Sequence, residues 1–134
     1  MGVDHSPGSL GALAWAAEEA ERRGSVLVPV LVRDGAWTGP TAGGLPLPEV
    51  DLECSELRAL RRAVPADVQV RTEPEVITGP PGKALAQYAD PQDLLVVGSR
   101  GRGALASTLL GSTSAFLAEH AHCPVVVVRE GQDR

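Results

Sequence analysis

Two hydrophobic rhythms share this chain. Almost uninterrupted apolar runs cover Ser25 to Val32, Leu94 to Val97 and Val125 to Val128. Runs of this kind predict strands buried on both faces. Pro29 lies inside the first run and gives up a ladder hydrogen bond, so a bulge or strand end is expected beside it. Between the runs, apolar residues return at helical spacing. Leu10, Leu13, Ala14 and Ala17 share one face of a helix from Pro7 to about Arg23, with Glu18, Glu19 and Glu21 mostly on another. Ser6 and Ser9 are alternative caps, and Gly24 ends the helix. Leu52, Leu57 and Leu60 mark the buried side of a second helix over Glu49 to Ala63. A third strand is spread over Asp67 to Ile77 and interrupted at Pro74. Gly82 to Ala89 reads as a short helix, and a last helix starts at Ser112 and Thr113 and runs to about His120. Met1 to Asp4 reads as the end of a first strand. Asp34 to Pro48 is rich in Gly and Pro, carries no period, and reads as a long loop.

The resulting order is β-α-β-α-β-α-β-α-β. Strands that alternate with helices and are apolar throughout imply a parallel sheet with helices on both faces. Right-handed crossovers make it doubly wound, so the fold class expected is α/β. The 134 residues suit a single domain without internal repeats.

Composition narrows the functional classes. Apolar residues make up 43% of the chain, too many for a disordered one, while aromatics supply only 3%, so Ala, Val and Leu must build the core. No apolar run approaches the roughly 20 residues of a membrane helix, and no signal-peptide pattern opens the chain, so a cytoplasmic location without membrane contact is expected. Cys54 and Cys123 have no metal-ligand spacing and read as reduced thiols. A net charge of −5 argues against general nucleic-acid binding. The charge is uneven, however. Leu94 to Ala118 holds no carboxylate and carries Arg100 and Arg102, the composition of a local anion site.

In doubly wound sheets, ligands sit beyond the carboxyl ends of the strands, where the strand order reverses. For a five-stranded sheet ordered 3-2-1-4-5, that point lies between strands 1 and 4. The loops leaving those strands are Asp4 to Ser9 and Gly98 to Gly111, the two with unusual chemistry. Gly98, Gly101 and Gly111 let backbone amides approach phosphate oxygens. Ser112 and Thr113 add hydroxyls, Arg100 adds charge, and Gly111-Ser112 opens a helix whose free amides favour anions. On this reading, a β-branched residue at Gly98 or Gly111 removes binding and spares the fold. The bland alternative is a Gly-rich loop whose serine caps a helix. Across the crevice, Asp4 can accept hydrogen bonds from a ribose or base, or act only as a turn-former.

These residues resemble a known family. Gly98-x-x-Gly101, nine residues, then Gly111-Ser112 is similar in type and spacing to the ATP-binding signature of universal stress proteins. The flanks Asp93-Leu-Leu-Val-Val-Gly98 and His122-Cys-Pro-Val-Val-Val-Val-Arg129, and the opening Gly2-Val3-Asp4-His5-Ser6, resemble the family too. The resemblance implies a single domain over 1–134 with a sheet ordered 3-2-1-4-5 and ATP, with Mg²⁺ as an accompanying ion, between strands 1 and 4. It implies that Gly2 and Asp4 contact the adenosine, that Leu31 lies near the adenine, and that Gly98 to Gly103 and Gly111 to Thr113 hold the phosphates. It also implies a homodimer through strand 5, Val125, Val126, Val127 and Val128, an apolar edge that would otherwise be a liability. The expected role is a nucleotide-responsive stress or regulatory module; the alternative is a dimerisation scaffold that binds no ATP. Two departures stand out. His5 occupies a position where the family usually has glycine, and strand 1 reads as cut short, as in a sequence that starts late or belongs to a longer tandem protein.

Competing motifs are weaker. Gly101-Arg-Gly103-Ala-Leu-Ala106 fits a dinucleotide fingerprint, but no second half-domain follows it. Gly79-Pro-Pro-Gly-Lys83 is two residues short of a Walker loop and has Ala84 where Ser or Thr binds Mg²⁺. His120 and His122 face different ways and read as helix-terminal residues rather than metal ligands. No G-x-S-x-G elbow is present and no residue clearly orients a water, so no enzyme activity is expected beyond, at most, slow ATP hydrolysis.

Overall fold

The computed structural model describes residues 1–4, 7–34, 41–42, 45–46, 49–99 and 110–129. Its elements are β1 (Gly2–Val3), α1 (Pro7–Arg23), β2 (Val30–Arg33), β3 (Thr41–Ala42), β4 (Leu45–Pro46), α2 (Glu49–Ala63), β5 (Glu75–Thr78), α3 (Pro81–Tyr88), β6 (Leu95–Gly98), α4 (Ser112–His120) and β7 (Val125–Val128).

The α/β class with parallel strands is as the sequence implies. β1, β2 and β5 form one parallel ladder in the order β1-β2-β5, and β6 pairs in parallel with β7. In the numbering of the five main strands this gives 3-2-1 and 4-5. β1 and β6 abut without a shared ladder; a Cβ on Gly2 would lie 3.6 Å from Val97 Cγ1. Side-chain alternation shows that the two ladders form one layer. Val3, Leu31, Val76, Val96, Val126 and Val128 face α1 and α2, packing with Leu13, Ala17 and Leu60. Val30, Val32, Ile77, Leu95, Val97, Val125 and Val127 face α3 and α4, packing with Leu85 and Leu117. The period of two along each strand thus feeds two cores, one per face.

Two local expectations are corrected, and the expected breaks at Pro29 and Pro74 are found. Asp34 to Pro48 contains the small antiparallel hairpin of β3 and β4, two residues per strand, too short to leave a periodic trace. The buried face of α1 is Ala12, Leu13, Ala16, Ala17 and Ala20, whereas Leu10 is 41% exposed. A stripe of small alanines lets the helix lie close to the sheet and rotates Leu10 outward. The strands flanking the prolines are shorter than their apolar runs. β2 begins at Val30, directly after Pro29, with a lone bridge from Leu27 to Thr72 before it, and β5 begins directly after Pro74. Each proline removes a donor where the ladder would continue. Trp15 packs partly buried against the α1-side core; Trp37 lies outside the described residues.

Candidate functional site

The ends of β1 and β6 lie beside the starts of α1 and α4 at the carboxyl edge of the sheet. β1 ends at Val3, and the Asp4 amide donates to the Ser9 hydroxyl at 3.3 Å. Ser9 sits 4% exposed in the first turn of α1. That turn lies against the end of β6. A Cβ on Gly98 would stand 2.9 Å from the carbonyl carbon and oxygen of Gly8 and 3.2 Å from the Ser9 nitrogen. Gly98 therefore lets α1 press onto β6, and its replacement would disturb packing as well as any ligand contact.

Beyond Gly98 the chain is pinned on both sides. The Ser99 amide donates to the Val128 carbonyl at 2.8 Å, and the Ser99 carbonyl accepts the Gly111 amide at 2.6 Å. The Ser114 hydroxyl reaches the Ser99 carbonyl at 3.3 Å and the Gly111 carbonyl at 3.1 Å. Gly111 is the extended residue before α4, at φ −68° and ψ 167°. The first helical bond follows from the Ala115 amide to the Gly111 carbonyl at 3.0 Å. A helix start leaves its first-turn amides without intrahelical acceptors, here those of Ser112 and Thr113. Ser112 is exposed and Thr113 half-buried. Amides and hydroxyls at a helix N-terminus form an environment that favours anions.

The expected site residues thus separate. Asp4, Gly98, Ser99, Gly111, Ser112 and Thr113 gather at this edge. The Gly111 amide is engaged by Ser99, so its part is to close the base of the turn and not to donate to a ligand. Gly2 lies within β1, opposite Val30, and a Cβ there would press on Leu85 Cδ1 at 2.7 Å. Leu31 is 8% exposed and commits its side chain to the α1-side core, two residues before β2 ends at Arg33. Arg100, Gly101 and Gly103 lie outside the described residues.

Two features differ from the sequence reading, which offered Ser9 as a cap although it lies inside α1, and left Ser114 and Arg33 without a role. Ser9 and Ser114 are buried hydroxyls that brace the turns from inside their helices. The available signal was a serine on the apolar face of a helix, which must find a partner when buried. Arg33 also pairs with Glu56 of α2 at 2.6 Å, with side chains 11% and 17% exposed. The displaced ionisation of the single tyrosine lies away from the edge. Tyr88 on α3 is pushed up to about 12, first by burial and then by its hydrogen bond to Glu75. His120 ends α4 stacked on Phe116, with ring centroids 4.2 Å apart. Among the described residues no cluster of three His, Cys, Asp or Glu side chains is arranged for a metal, and no helix is long and apolar enough to cross a membrane.

The model of the universal stress protein family matches residues 1–129. The chain belongs to the universal stress protein family. The universal stress protein Rv2624c of Mycobacterium tuberculosis is 33% identical over 134 residues, covering 100% of this chain and 48% of its own length. The chain spans about half the length of the curated relatives it matches. Among solved structures, a universal stress protein in complex with cAMP superposes with a TM-score of 0.71 at 27% identity, covering 96% of this chain and 93% of the other. A family protein from Arabidopsis thaliana with AMP bound gives 0.57 at 25% identity, over 98% of this chain and 86% of the other.

Proposed function

We propose that this domain binds an adenine nucleotide, ATP in the sense of its glycine signature, where the β1–α1 turn meets the start of α4. The observation that carries the proposal is the hydrogen bonding of Ser99 with Gly111 and Ser114, which sets the first-turn amides of α4 at the carboxyl edge of the sheet. Ser112 and Thr113 then receive phosphate oxygens, and Asp4 faces the nucleoside from the β1 side. The two solved relatives, one in complex with cAMP and one with AMP bound, support adenine nucleotides as the ligand class. Nucleotide occupancy acts as a switch through its different affinity for two conformations, with turnover at most slow. Such a module belongs in the cytoplasm. Isothermal titration of the purified protein with ATP and with AMP, each with and without Mg²⁺, tests the proposal; saturable heat supports it, and none with ATP or AMP refutes it.

A second reading, a dimerisation scaffold, draws on β7. Its four valines are half-buried in the single chain, and among the described residues β7 pairs on one side only, with β6. Pairing of β7 with a second copy would satisfy that edge. Both readings share the dimer; an intact circular-dichroism spectrum without nucleotide heat would leave the scaffold alone.

A further inference from the structure

Ser114 occupies the third position of α4, and only 2% of it is exposed. Its single hydroxyl proton is shared between two carbonyls, Ser99 at 3.3 Å and Gly111 at 3.1 Å. Three-centre bonds of this kind are common at helix termini. These two carbonyls flank the turn on both sides. Ser99 follows β6 directly and is held by β7 through its amide, at 2.8 Å from Val128. Gly111 directly precedes Ser112 and Thr113. The hydroxyl therefore links the exit of β6 to the start of α4, and so fixes the direction in which the first-turn amides point.

Neither carbonyl depends on Ser114 for satisfaction. Ser99 O still accepts the Gly111 amide at 2.6 Å, and Gly111 O still accepts the Ala115 amide at 3.0 Å. Loss of the hydroxyl leaves no buried backbone acceptor orphaned, so the stability cost is small. What is lost is orientation. Hydrogen bonds from the amides to a phosphate weaken steeply as their angles open.

We infer that Ser114 is a positioning residue of the nucleotide site, aiming the Ser112 and Thr113 amides at phosphate oxygens while touching no ligand itself. The inference rests on the nucleotide-binding reading above, and its test separates the two. Ser114→Thr and Ser114→Val match in volume and differ by the hydroxyl; Ser114→Ala is the variant least able to disturb packing. ATP and adenosine are titrated against a fluorescent adenine nucleotide for the wild type and all three variants. We expect Val and Ala to weaken ATP about tenfold relative to wild type and Thr, the worth of one well-aligned hydrogen bond. Adenosine, which has no phosphate, keeps its affinity in all four proteins. Equal ATP affinity in all four, or parallel loss of ATP and adenosine, overturns the positioning role. A wild type that binds neither ligand overturns the nucleotide reading, and this inference with it.

Discussion

Gly98→Ala is the most telling substitution in this domain, because the physical cause of its effect is visible. The added Cβ would stand 2.9 Å from the Gly8 carbonyl group. Contacting carbons prefer about 3.5–4.0 Å, so the start of α1 must withdraw by ~0.6 Å. The obstacle is main chain, which does not swing aside as the tip of a side chain does. Overpacking of this kind costs about 1–3 kcal/mol. Unfolding entropy near 2.1 cal/mol/K per residue over 134 residues is about 0.28 kcal/mol/K, so ~2 kcal/mol lowers Tm by about 7 °C. Gly11 is the internal control. It lies in α1, and nothing stands within 4 Å of its Cβ. Gly11→Ala gains roughly 0.5–1 kcal/mol from helix preference and raises Tm by about 2–4 °C. The same chemical change thus carries opposite signs at two positions. Thermal unfolding followed by circular dichroism, without ligand, reads both. If Gly98→Ala melted at or above the wild-type temperature, the packing role would be refuted and Gly98 would serve the ligand alone.

Three further predictions concern an ion pair, a tyrosine and a strand edge. Glu56→Ala removes one charge-assisted hydrogen bond from the largely buried Arg33 guanidinium and should lower stability by about 1.5 kcal/mol in urea denaturation; a loss below about 0.5 kcal/mol would reduce the pair to an ordinary surface contact. Tyr88 is the single tyrosine, so its ionisation at 295 nm should be a clean transition near pH 12, moved down by Glu75→Gln. Because the folded value lies above the unfolded 10.0, the native state holds its proton longer. Its contribution to stability is complete below pH 10 and is lost as pH rises through about 12; a midpoint near 10 would contradict it. The Pro124 and Val128 carbonyls accept bonds from β6, so by alternation the Val127 amide points outward. Val127→Pro should abolish the β7-paired dimer in light scattering while keeping the fold, and Val126→Pro should damage the fold; a Val127→Pro dimer excludes this edge as the interface.

Much of this architecture was legible in residue patterns, and each miss has a cause. The strands β6 and β7 and the helices α2 and α4 lie where continuous apolar runs and helical spacing put them. The face of α1 was misread because Leu10 outweighs alanine on any hydrophobicity scale, yet close approach to a sheet favours the smaller side chain. The β3–β4 hairpin is shorter than any period can reveal. At the site, glycine spacing brought the right turns together but assigned Gly98 and Gly111 the same duty. One is a packing glycine, and the other spends its amide on Ser99.

Sequence by itself determined the layering, because an apolar strand must be covered on both faces and helical spacing supplies the cover. It also determined the family, whose glycine signature is local and contiguous enough to read directly. Only the tertiary structure decided which amides at the crevice remain available and which hydroxyls hold them. Those bonds join Ser99 to Gly111 and Ser114, and to Val128 on the neighbouring strand. Contacts between segments distant in sequence leave no periodic trace, since their partners are chosen by how the elements pack.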